Sequence, residues 1–184
     1  MTQNRVKSSD PKMSELILDT PRLRLRRLTI DDAPFILELV NQPSWLAFIG
    51  NHEVNSLAEA VNYIVDGPHA MLAEHGVALC LVERKLDATA LGLCGIVKRD
   101  TLPEPDIGFA FLERYSAQGY ALEAAKATMD YAIQDLHLPR VLAITLPHNA
   151  RSIKLLQRLG FVYERPIKLT PEKGGLMLYA YSAA

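Results

Sequence analysis

Hydrophobic and polar positions recur with two different periods along this chain, and the changes of period mark its elements. After Thr20-Pro21, the run Arg22-Leu23-Arg24-Leu25-Arg26 alternates strictly, so its leucines face a core and its arginines face water, as in a half-buried strand. From Asp31-Asp32 the spacing becomes helical. Phe35, Ile36, Leu39 and Val40 share a face, and the two aspartates suit a positive N-terminal end. Ser56 opens a second amphipathic helix through Ala60, Val61, Ile64 and Val65, which Gly67-Pro68 is expected to end. Residues 77–82 and 90–97 are apolar runs around a polar turn at Lys85-Leu86-Asp87, a pattern that predicts an antiparallel hairpin. Pro103 and Pro105 set the start of a third run, 107–112. The period returns to 3.6 over 120–136, where Ala121, Ala125, Met129, Ala132 and Leu136 form one face; its alanines let the helix lie close to a sheet. Residues 141–146 read as a strand and 149–159 as a helix with Gly160 at its cap, and strands over 161–164 and 176–181 close the chain. The predicted order is β-α-α-β-β-β-α-β-α-β-β, a mixed α/β sheet.

Length and composition narrow the class. With 184 residues the chain has the size of one domain, and 49% hydrophobic against 22% charged residues excludes a disordered or collagen-like chain. Residues 1–14 are polar and read as a disordered leader; residues 15–184 read as a single domain. Twenty basic against twenty-one acidic residues give a net charge of −1, so no global charge points to nucleic acid or to an anionic membrane. No apolar run approaches the ~18 residues of a membrane helix. Cys80 and Cys94 sit in apolar runs and show neither a disulfide framework nor a zinc spacing, which suits a reducing, cytoplasmic location.

The most informative stretch runs from Phe109 to Ala121, where a strand passes through small residues directly into an alanine-rich helix. Small side chains let backbone N–H groups approach a ligand, and a helix N-terminus adds partial positive charge, so the stretch can seat a pyrophosphate. A tight strand-to-helix turn with no ligand is the alternative reading of the same residues.

The stretch Arg114 to Ala124, the stretch Asn149 to Phe161 and the opening Thr20 to Leu25 form three blocks that resemble the GNAT superfamily of N-acetyltransferases, and within it the RimJ/RimL-type subgroup that acetylates ribosomal-protein N-termini. Arg114-Tyr-Ser-Ala117-Gln-Gly119 is similar to the family's acetyl-CoA loop, with Ala117 in place of its first glycine, and it continues as Gly119-Tyr-Ala121-Leu-Glu123-Ala124. Asn149-Ala-Arg-Ser152 followed by Leu159-Gly160-Phe161 is the second block, and Thr20-Pro-Arg22-Leu-Arg24-Leu is the third. The resemblance implies a mostly antiparallel sheet of about seven strands with splayed central strands, flanked by about four helices. It also implies acetyl-CoA as donor and an amine as acceptor.

The resemblance further implies that backbone groups of Phe111 and Leu112 pair with the pantetheine amides. The N–H groups of Ala117, Gln118, Gly119, Tyr120 and Ala121 would then hold the pyrophosphate. Ala117 is tolerated where its φ is negative. Arg114 reaches either a phosphate or solvent. Asn149 caps its helix and can also contact the pantetheine arm. The tyrosine that many relatives use to protonate the CoA thiolate is replaced by Leu156, so Ser152 becomes the candidate acid, against a hydroxyl that merely donates back to a helix carbonyl. Asp106 is the candidate base, with Glu104 and His148 as alternatives. Trp45 and Phe48 either wall an acceptor pocket or form a local packing cluster. The reaction expected is direct transfer to a primary amine, most readily a protein N-terminal α-amino group. A small amine, a non-catalytic acyl-CoA-binding module and a homodimeric assembly stay open.

Overall fold

The computed structural model describes residues 15–169 and 174–183; the expected leader at 1–14 lies outside the described residues. Its strands are β1 (Leu16–Asp19), β2 (Leu23–Arg27), β3 (Leu79–Arg84), β4 (Thr89–Val97), β5 (Asp106–Phe111), β6 (Arg140–Thr145), β7 (Val162–Ile167) and β8 (Leu176–Ser182). Its helices are α1 (Ala33–Asn41), α2 (Pro43–Phe48), α3 (Leu57–Ile64), α4 (Ala70–His75), α5 (Tyr120–Gln134) and α6 (Ala150–Arg158). One sheet of eight strands runs in the order β1-β2-β3-β4-β5-β6-β8-β7, antiparallel at every pair except β5–β6. Among the described residues no helix is long and apolar enough to cross a membrane.

The alternation in β2 does what its spacing predicts: Leu23 and Leu25 are fully buried and Arg24 is exposed. On one face of the sheet these leucines join Ala124, Ala125, Met129 and Ala132 of α5 and Leu156 of α6. On the other face Ile36, Leu39 and Val40 of α1 pack with Trp45, Ala60, Ile64 and Leu93. The two cores sandwich the sheet, and the site lies where its middle opens.

Three expectations change. β1 is an eighth strand, too short for periodicity to reveal. The helix begun by Ser56 does not stop at Gly67-Pro68. A π-type turn over Val65–His69 absorbs Pro68, which lacks an N–H, and the chain continues as α4 to Gly76, whose φ of +72° is the left-handed cap. The segment after α1 makes a further turn, α2, started by Pro43.

Candidate active site

Among the described residues β5 and β6 are the one parallel pair, and they build the site. The two strands meet in register at Asp106↔Leu142, with the Leu142 N–H donating to the Pro105 carbonyl at 2.9 Å, and no further pairing follows toward Phe111 and Thr145. On the other edge of β5, the Leu112 N–H donates to the Leu91 carbonyl at 2.9 Å. Antiparallel alternation then turns the backbone groups of Phe109 and Phe111 into the gap between β5 and β6. The splay expected between the central strands is present.

Past β5 the chain makes a 3-10 turn at Glu113–Tyr115 and enters α5 through two left-handed residues, Ala117 (φ +60°) and Gly119 (φ +81°). The alanine therefore does not keep a negative φ; its methyl bears the left-handed cost that a glycine would avoid. None of the N–H groups from Ala117 to Ala121 donates to a described partner. A nest of free N–H groups at the head of a fifteen-residue helix is an anion seat.

Below and beside this seat lies an open cavity of about 1460 Å³. Pockets for one small ligand span roughly 300–1,000 Å³, so the space suits two substrates meeting. Phe111, Ala117, Gly119, Tyr120, Ala121, Asn149, Ser152 and Asp106 all line it, as do Trp45 and Phe48. Leu112 does not: its N–H is held by β4 and its side chain is buried in the α1–α3 core. Gln118 braces the loop instead, its carbonyl accepting from Arg22 Nη1 at 3.1 Å and its amide donating to the Arg114 carbonyl at 3.2 Å. Arg114 lies outside the lining as well, because both its terminal nitrogens are engaged by the Glu38 carboxylate.

Asn149 Oδ1 caps α6 by accepting from the Ser152 N–H at 3.1 Å. The Ser152 hydroxyl has no hydrogen-bond partner among the described residues, so it does not donate back to a helix carbonyl. Asp106 is 1% exposed, and Arg99 Nε donates to its two oxygens at 3.0 and 3.1 Å. Burial pushes its carboxyl above the usual carboxylate range, with Arg99 opposing the shift. Burial also pushes the Cys80 thiol up to about 11 and the Cys94 thiol up to about 12, so neither offers a thiolate nucleophile at neutral pH.

Several contacts were beyond sequence reasoning because their partners lie far apart in the chain. Gln42 Nε2 donates to the Phe111 carbonyl at 2.9 Å while its Oε1 accepts from the Glu113 N–H at 3.0 Å, so a side-chain amide occupies part of the β5 edge. The Phe48 and His148 rings meet at 5.7 Å, and His52 packs edge-on against both Trp45 and Tyr63. Trp45 Nε1 and Thr145 Oγ1, on residues that line the cavity, are buried without a partner among the described residues.

A splayed parallel pair, an anion seat at the head of α5 and a cavity spanning both define an acyl-CoA-dependent transferase. Residues 22–162 match the acetyltransferase (GNAT) domain family, and the chain belongs to it. It is 30% identical over 155 residues to the Bacillus subtilis protein YkkB, covering 82% of this chain and 88% of that one. Among solved structures, an acetyltransferase from Agrobacterium tumefaciens superposes with a TM-score of 0.77 at 24% identity, covering 99% of this chain and 100% of that one. A RimL ribosomal L7/L12 α-N-protein acetyltransferase in complex with coenzyme A superposes with a TM-score of 0.77 at 19% identity, covering 91% and 98%. The protein is an N-acetyltransferase that takes its acetyl group from acetyl-CoA.

Proposed function

We propose that the acceptor is an α-amino group at a protein or peptide N-terminus, and that the reaction takes place in the cytoplasm. The carrying observation is the position of Asp106, the one buried carboxylate among the described residues. Asp106 lies at the vertex of the splay, three residues before Phe109, about 10 Å away at the rise of a strand. A base at that distance collects a proton through water and gives little help to a strongly basic amine. An α-amino group, with a pKa of about 7.7–8.0, is partly neutral already, whereas a lysine side chain at about 10.4 is not. The RimL enzyme of like fold is named for an α-N-protein acceptor, which agrees with this reading.

The step is direct. The amine nitrogen bonds to the thioester carbonyl carbon, the carbon–sulfur bond breaks, and the electron pair leaves on sulfur. The thiolate takes the Ser152 hydroxyl proton, which water restores, and the amine proton passes by water to Asp106. The pyrophosphate rests on the N–H groups of Ala117 to Ala121, and the Phe109 and Phe111 backbone groups hold the pantetheine arm, the latter shared with Gln42. Orientation of the two substrates supplies most of the rate.

A second reading has its own observation. Glu53, Glu59 and Asp66 line the acceptor side of the cavity, which also suits a small polycationic amine. Turnover with acetyl-CoA across peptide N-termini, polyamines and aminoglycosides separates the two. Peptides carrying a free N-terminus are expected to be the better acceptors, and a polyamine preferred over every peptide would overturn the proposal.

A further inference from the structure

Of the cations that line the cavity, Arg151, Lys154 and Arg158 lie on α6, and Arg99 does not. Arg99 follows β4, and its partner Asp106 opens β5. Along β5, Ile107 and Phe109 pack on the α5 side of the sheet, whereas Ala110 packs on the α1–α3 core. Strand alternation puts Asp106 and Gly108 on that second face with Ala110. Arg99 stands beside it. Burial pushes the Tyr63 phenol up to about 12, the Arg99 charge opposes the shift, and Tyr63 packs on the α1–α3 core. The donor loop leads into α5 on the other face, which leaves this face to the acceptor.

Asp106 fixes the Arg99 side chain from within. The carboxylate is 1% exposed and accepts the single N–H of Arg99 Nε on both oxygens, at 3.0 and 3.1 Å. The N–H groups of the two terminal nitrogens donate to no described residue. The Arg99 side chain is 41% exposed against 1% for its partner, so the outer edge of the guanidinium is the part open to the cavity. Glu53, Glu59 and Asp66 line the same cavity without pairing to it, and Glu59 is engaged at the head of α3 by the Asn55 N–H and the Ser56 hydroxyl. After burial and Arg99, the charge of Lys98 also acts on Asp106, so one carboxylate answers two cations. A planar fork braced at Nε, with its terminal donors open, matches the two oxygens of a second carboxylate.

We propose that Arg99 receives the side-chain carboxylate of an aspartate or glutamate at the second or third position of the acceptor, so that the enzyme selects peptides with an acidic residue just behind the N-terminus. The proposal rests on the α-amino reading given above and names its acceptor more closely. Distance selects the position. Asp106 lies about 10 Å from Phe109, where the donor arm is held, and an extended peptide rises about 3.3 Å per residue. A free amino acid holds its amine and its carboxylate about 3 Å apart, too close to reach both the thioester and Arg99.

The test measures kcat/KM with acetyl-CoA for peptides of one sequence that carry glutamate or glutamine at position 2, and again at position 3, in the wild type, Arg99→Lys and Arg99→Gln. The wild type is expected to prefer the glutamate peptide by about tenfold at one of the two positions, through KM, and salt should weaken the preference because half-exposed charges are screened. Arg99→Lys keeps the charge without the fork and should retain part of the preference; Arg99→Gln should bring the ratio to one. Both peptides meet the same altered Asp106 in a variant, so the ratio separates recognition from damage to the fold or to proton transfer. Equal use of the two peptides by the wild type at both positions overturns the proposal, and this arm needs no variant to fold. So does an Arg99→Gln enzyme that keeps the wild-type ratio, or free glutamate turned over better than either peptide. Failure of the α-amino reading is distinguishable: neither peptide is then acetylated at its N-terminus while a polyamine or lysine acceptor is, and the proposal falls with it.

Discussion

At Asp106 burial sets a pH dependence of stability, and the role proposed for it as proton acceptor is tested on the same carboxylate. Its folded pKa is raised, so the folded protein holds that proton more tightly than the unfolded chain does. Stability from this group is therefore full below the unfolded value of about 3.9 and is lost as pH rises through the folded value. Asp106→Asn should gain on the wild type in urea denaturation as pH is raised from 4 toward 7, because half-exposed Arg99 can be solvated once its partner is neutral. The same variant should lose about tenfold in kcat, the low end of acid–base help for a base acting through water. A stability difference that does not move in favour of the variant as pH rises, or a variant that turns over as fast, would contradict one half of the account. Ser152→Ala should likewise lower kcat by about tenfold with KM for acetyl-CoA unchanged. A KM effect in place of a kcat effect would assign the hydroxyl to binding. Ala117→Gly should raise unfolding free energy by about 1 kcal/mol, the left-handed cost less the entropy that glycine adds to the unfolded chain. Urea titration reads this directly, and a loss of stability would contradict the strained φ.

Between β2 and α5 one clamp explains two of the three sequence blocks. Glu123 accepts from the Thr20 hydroxyl at 2.7 Å, the Arg22 N–H at 2.9 Å and Arg22 Nε at 2.6 Å, while Arg22 Nη1 reaches the Gln118 carbonyl. The Arg22 guanidinium also lies 4.6 Å from the centre of the Tyr120 ring. The opening strand thus holds the loop that presents the N–H nest. Glu123→Ala should cost about 2 kcal/mol, since charged hydrogen bonds are lost from a partly exposed site, and should raise KM for acetyl-CoA more than it lowers kcat. A destabilised variant with wild-type KM would confine the clamp to stability. These elements were legible because their signals are local: alternation in β2, alanines at helical spacing in α5, and an asparagine ahead of α6. The helix passing Pro68 was not legible, since a π-type turn that absorbs the proline leaves no local sign. The strand expected over 161–164 is β7, but its run to Ile167 was not legible, since its mostly exposed side chains lack an inward–outward period. Within the site, the small-residue loop ahead of α5 was legible in the sequence, but the left-handed φ of Ala117 was not. Arg99 on Asp106, Gln42 on the β5 edge and the three cations of α6 needed the fold to bring them to one cavity, and Leu112 was misplaced because β4 claims its N–H.

Across the whole molecule one cavity holds charges of both signs. Carboxylates of Glu53, Glu59 and Asp66 line it together with Trp45 and Tyr63, and Arg151, Lys154 and Arg158 line it from α6. An amine that arrives ionised must lose its proton before it can react. The central claim is that this enzyme acts on amines that lose it easily. The most direct measurement is a competition, followed by mass spectrometry as pH rises from 6.5 to 9. One peptide has a free N-terminus and no lysine; the other has the same sequence blocked at its N-terminus and carrying one lysine. The account predicts acetylation of the free N-terminus by a wide margin, with kcat/KM rising through the ionisation of an α-amino group. Preferential acetylation of the lysine peptide at neutral pH would contradict it and would require a stronger, nearer base than Asp106.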